Sequence, residues 1–78
     1  MVFEPSPERY TDVELRDAEL LAVDIPNCPE GCNVYAAHYA SGQLHFFGGA
    51  DRVEARAIAL QYGLRILPHD ELVSVHAL

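Results

Sequence analysis

The chain has 78 residues, 50% of them apolar, with twelve carboxylates against five arginines, no lysine and four histidines, a formal net charge of −7. Length and composition describe one globular domain near the size at which a single core is marginal, which makes a second copy or a permanent partner a real option. They exclude a membrane span, which needs roughly 18–20 consecutive apolar residues, and they argue against direct nucleic-acid binding, whose affinity comes mainly from clustered Lys and Arg. The start, Met1-Val2-Phe3-Glu4-Pro5, shows neither a basic region nor an apolar segment. With no secretory signal visible, the two cysteines point to a reducing, cytoplasmic setting.

Charge is unevenly placed along the chain. Glu4, Glu8, Asp12, Glu14, Asp17, Glu19, Asp24 and Glu30 all precede residue 34, opposed there only by Arg9 and Arg16. Such asymmetry predicts one acidic face. A solubilising surface would account for it. So would attraction of a basic partner, which speeds encounter and is screened by salt.

Residues 1–10, with Pro5 and Pro7, read as an irregular arm. Thr11-Asp12-Val13-Glu14 then fits a capping box and opens a helix over about 11–21. Val13, Asp17, Leu20, Leu21 and Asp24 fall on one row of that helix, and Leu15, Ala18, Ala22 and Ile25 on its neighbour. The alternation Leu21, Val23, Ile25 also permits a short strand before Pro26. Residues 27–32 carry the loop signals Asn27, Pro29 and Gly31.

A hairpin follows over 34–47, with β-prone runs on both sides of Ser41-Gly42. A two-residue turn sets Tyr39 opposite Leu44, His38 opposite His45 and Ala37 opposite Phe46. It gathers Tyr35, Ala37, Tyr39, Leu44 and Phe46 on one face as core. A three-residue turn would mix Gln43 and His45 into that face, and a one-residue slip flips every side chain. The spacing therefore predicts the two-residue turn. The second face would then hold Val34, Ala36, His38, His45 and Phe47, covered by the N-terminal helix or by a second copy.

Gly48-Gly49 reads as the strand end, and Asp51 as the cap of a helix over 51–62. Its expected inward stripe is Val53, Ala57 and Leu60, widened by Ala55 and Ile58, with Arg52, Arg56 and Gln61 outside. Gly63 fits a left-handed helix stop. Residues 64–76 then supply a C-terminal strand or hairpin: Leu64–Leu67, a turn at Pro68-His69-Asp70, and Leu72–His76. The fold class is α+β, a small antiparallel sheet in a single domain over 1–78.

No catalytic constellation and no cofactor motif emerges. Cys28 and Cys32 precede His38 and His45, but an extended 33–38 holds Cys32 and His38 roughly 20 Å apart. Zinc bonds of about 2.0–2.3 Å cannot span that distance, so no metal site is expected. The two thiols read as inert loop cysteines. As cross-strand neighbours, His38 and His45 would form a pH-responsive pair, a weak metal clamp or simply polar surface. Ser41 and Ser74 lack a nucleophile motif, and the Asp51 carboxylate would repel an anion at the Gly48-Gly49 turn. Tyr35, Tyr39 and Phe46 as a base-stacking platform conflict with the charge.

In size, in charge and in the hairpin–helix–strand order of residues 33–67, the chain resembles the small acidic anti-CRISPR proteins of phages. That resemblance implies a non-catalytic inhibitor that blocks the nucleic-acid-binding surface of a CRISPR effector or another nucleic-acid-handling complex. Carboxylates would stand in for phosphates there, with Asp12, Glu14, Asp17, Glu19 and Asp24 as the contacts to a larger basic protein or nucleoprotein complex. From Leu21 to Tyr62 the element order also resembles the N-terminal domains of HicB-type antitoxins, without their DNA-binding segment. An accessory subunit that binds its own copy or a partner through the apolar hairpin face is the further alternative.

Overall fold

The computed structural model describes residues 10–24, 31 and 33–78. Elements run α1 (Asp12–Val23), β1 (Asn33–Tyr39), β2 (Leu44–Gly49), α2 (Arg52–Ile66) and β3 (Leu72–Ala77). The result is an α+β fold with an antiparallel sheet in the order β2-β1-β3. The expected N-terminal arm, Ile25, and Cys28 and Cys32 with their loop lie outside the described residues, apart from Tyr10 and Gly31.

α1 starts where its local chemistry dictates. The Thr11 hydroxyl accepts from the Glu14 N–H, and the Glu14 carboxylate accepts from the Thr11 N–H at 2.9 Å, so two otherwise orphaned donors are satisfied. The helix continues to Val23, beyond the expected end near 21, so the short strand through Val23 does not form. Leu15 and Ala22 are buried on its inner face, Ala18 packs beside them, and Val13 and Leu20 are exposed.

The hairpin register differs from expectation by one residue. Tyr35 pairs with Phe47, Ala36 with Phe46, Ala37 with His45 and His38 with Leu44. The turn therefore has three residues, Ala40, Ser41 and Gly42, and Gly42 sits at φ +94°, the left-handed position such a turn requires. Ser41 is held from outside the hairpin: its N–H donates to Asp70 Oδ1 at 2.9 Å and its hydroxyl donates to Asp70 Oδ2. The Ala40 N–H donates to the Glu71 carbonyl at 2.8 Å.

This register sends Phe47, not Phe46, into the core, where it is 1% exposed against Tyr35, Leu15 and Tyr62. Leu44 faces away and is 46% exposed. His45 turns inward, which is tolerable because a carboxylate meets it there, as described below. Gly48 and Gly49 are the last two residues of β2, with Gly49 against the first turn of α2.

Asp51 caps α2 as expected, accepting from the Glu54 N–H at 2.8 Å. The helix does not stop at Gly63. It runs to Ile66, so Leu64–Leu67 forms no strand, and β3 alone pairs with the free side of β1. Gly63 serves close packing: a Cβ there would lie 3.1 Å from Cε1 of Tyr39, whose hydroxyl donates to the Ala59 carbonyl at 2.7 Å. Pro68 then disfavours helix at Leu67, and the chain turns into β3.

The inward face of α2 is Ala55, Ile58, Ala59 and Tyr62. Val53 and Leu60, expected inside, are 77% and 42% exposed. Gln61, expected outside, is buried, and its Oε1 accepts from the Tyr10 N–H at 3.0 Å while its Nε2 has no partner among the described residues. Both helices thus cover one face of the sheet, that of Tyr35, Ala37, Tyr39, Phe47 and Val75.

The register has a direct test. Phe47→Ala should destabilise the protein by about 3–5 kcal/mol, whereas Phe46→Ala, only half-buried, should cost about 1 kcal/mol. Chemical denaturation of the two variants measures both, and equal losses would contradict this pairing.

Candidate functional site

Three side-chain groups outside the apolar core carry chemistry. The first joins three elements. Glu19 of α1 meets Nδ1 of His45 on β2 through Oε1, beside Tyr62 of α2. His45 Nε2 lies 3.0 Å from Oε1 of Gln43, and the ring stands 5.1 Å from that of Tyr62 and 5.6 Å from that of Tyr39. Burial, then the Glu19 hydrogen bond and charge, push the Tyr62 hydroxyl above its ordinary pKa. Burial, with the charges of Tyr62, Glu19 and Asp70 after it, pushes Tyr39 higher still. Both phenols therefore stay protonated and act as donors. A polar knot that ties α1 to the sheet and to α2 is what this geometry builds.

The second group is the outer surface of α1. Val13, Asp17, Leu20, Leu21 and Asp24, one row in the sequence, are all exposed. Asp17, Leu20, Leu21 and Asp24 line a shallow hollow of about 350 Å³. On the flank toward β2, Glu14, Asp17 and Glu54 rim a groove of about 410 Å³ that Ala18, Leu21 and Ile58 help to line. Carboxylates around apolar side chains suit a basic residue, whose aliphatic stem lies on the apolar part while its charged head meets the rim.

The five carboxylates expected to meet a partner all lie on α1 or at its end, but they do not act alike. Glu19 is taken up by His45. Asp12 accepts from Nη1 of Arg65 at 3.3 Å, and Glu14 closes the capping box. Asp17 and Asp24 lie on the outward row.

The third group is the sheet face that neither helix covers. Val34, Ala36 and His38 of β1 share it with Leu44 and Phe46 of β2 and with Ser74 and His76 of β3. The second hairpin face expected from the sequence is therefore split. His45 and Phe47 belong to the helix side, and His38 and His45 are not neighbours. His38 instead meets His76, which nothing in the local sequence around either residue reveals. Among the described residues, no group of three or more metal-ligand side chains converges, and no helix is long and apolar enough to cross a membrane. No family model, no curated protein and no solved structure matches this chain.

Asp70 gives the site region a pH signature. The hydrogen bond from the Ser41 hydroxyl, aided by the Ser41 and Glu71 N–H groups, holds its carboxyl below the ordinary value of 3.8 despite some desolvation. A depressed folded pKa contributes stability that is complete above the unfolded value and lost as pH falls through the folded one. Asp70→Asn should therefore be less stable than wild type near pH 6, with the gap closing below about pH 4. Denaturation midpoints across that range check it; a gap independent of pH would contradict it.

Proposed function

We propose that this chain is a non-catalytic acidic protein-binding module that occupies a basic, nucleic-acid-binding surface of a larger cytoplasmic protein or nucleoprotein complex. The CRISPR effectors implied by the resemblance above are the partner class to test first. What supports the reading is the outward row of α1. A helix that has committed Leu15, Ala22 and Glu19 to its own domain still presents Asp17 beside Val13, Leu20 and Leu21. Charge would supply encounter rate and register, and the desolvated leucines would supply residence. Asp12, Glu14 and Glu19 also act within the domain, where they fix the helix that carries the contact row.

Clamping α1 at several points also favours binding, because a preorganised charged surface loses little conformational entropy on docking. The partner is the species that nucleic acid competes for. Tagged protein should retain it at about 0.1 M salt and release it at about 0.5 M salt or on addition of competing DNA. Against that partner, Asp17→Asn should weaken binding about three- to fivefold, and Glu71→Gln, an equal charge change on the exposed approach to β3, should not. Leu20→Ser should weaken it at both salts. Equal effects of Asp17→Asn and Glu71→Gln would leave only non-specific acidity and sink the reading.

The half-buried Val34 and Phe46 and the exposed Leu44 favour a second reading, an accessory subunit that pairs through the helix-free sheet face. Its signature is loss of a salt-insensitive complex on Phe46→Asp. Phe47, buried in the core, cannot report on it.

A further inference from the structure

His38 and His76 stand on adjacent strands of the helix-free face, one step apart diagonally, since Ala36 pairs with His76 and His38 with Ser74. Their rings lie 5.6 Å apart, centroid to centroid, at 73°, and both residues are exposed. A metal–nitrogen bond of about 2.0–2.1 Å places an imidazole centroid roughly 3.2 Å from the ion, so two rings at a tetrahedral angle would have centroids about 5 Å apart. The observed centroid separation of 5.6 Å is close to that value. The backbones that carry it are fixed by the ladder between β1 and β3, so little further ordering is needed when both rings engage one ion.

We propose that His38 and His76 form a two-imidazole clamp for a single borderline divalent cation of the zinc, nickel or copper type. Imidazole selects that class over magnesium and calcium, which prefer oxygen ligands. No third side chain of the described residues joins the pair, so water fills the remaining positions. The net charge of −7 raises the local concentration of cations. The other described histidines are placed differently: His45 is engaged by Glu19 and Gln43, and His69 lies in the turn before β3.

The test uses the untagged full chain and copper(II) chloride added below one equivalent. Paramagnetic broadening of backbone amide signals should appear first around residues 37–39 and 75–77. Zinc chloride titration of the same sample should shift those signals saturably. His38→Ala and His76→Ala should each weaken zinc binding at this site on the order of a hundredfold, the lower end of what a second linked contact adds. His69→Ala should leave it unchanged. Broadening centred on His69, on His45 or on the cysteines with β1 and β3 untouched would overturn the proposal. Retention of zinc affinity in His38→Ala would overturn it as well.

Discussion

The three-residue turn at Ala40–Gly42 is the constraint on which the rest of the molecule depends. It decides which residues of β2 face the helices, and so makes Phe47 core and Leu44 surface. Gly42 makes the turn possible because its positive φ costs little without a Cβ. Asp70 selects it from a distance, binding Ser41 through two hydrogen bonds and tying the hairpin tip to the segment that leads into β3. The pairing of β3 with β1 then closes the sheet.

Once His45 faces the helices, a polar group must be accommodated beside an apolar core. A half-buried imidazole without a partner would be costly. Glu19 supplies the partner, and its charge also acts on the Tyr62 hydroxyl, so one acidic residue of α1 influences both β2 and α2. The apolar residues Leu15 and Ala22 share that inner side. Helix position and the outward display of Asp17, Leu20 and Asp24 are thus two consequences of one docking. The face that binds the domain and the exposed row lie on opposite sides of α1.

Close approach governs the other helix. The aromatic ring of Tyr39 packs against Gly63, and its hydroxyl bonds to Ala59 one helical turn earlier. Tertiary packing therefore accounts for a glycine that local rules would read as a terminator. The same docking rotates α2 so that small residues Ala55 and Ala59 meet the sheet, while the larger Val53 and Leu60 face out. Buried Gln61 holds the chain entering α1 through the Tyr10 N–H.

By itself the sequence determined whatever depends on neighbours within a few residues. The caps at Thr11 and Asp51, the existence of both helices, the hairpin, the last strand and the acidic character of the N-terminal half are legible because hydrogen bonds and periodicity over three or four residues produce them. The tertiary structure alone decided the hairpin register, the passage of α2 through Gly63, the inward turn of Glu19 and His45, and the meeting of His38 with His76. Each depends on atoms distant in sequence: Asp70 on Ser41, Tyr39 on Gly63, α1 on β2, and β3 on β1. His45 argued against the register that forms, because its partner Glu19 arrives only when α1 docks, while Gln43 stays exposed.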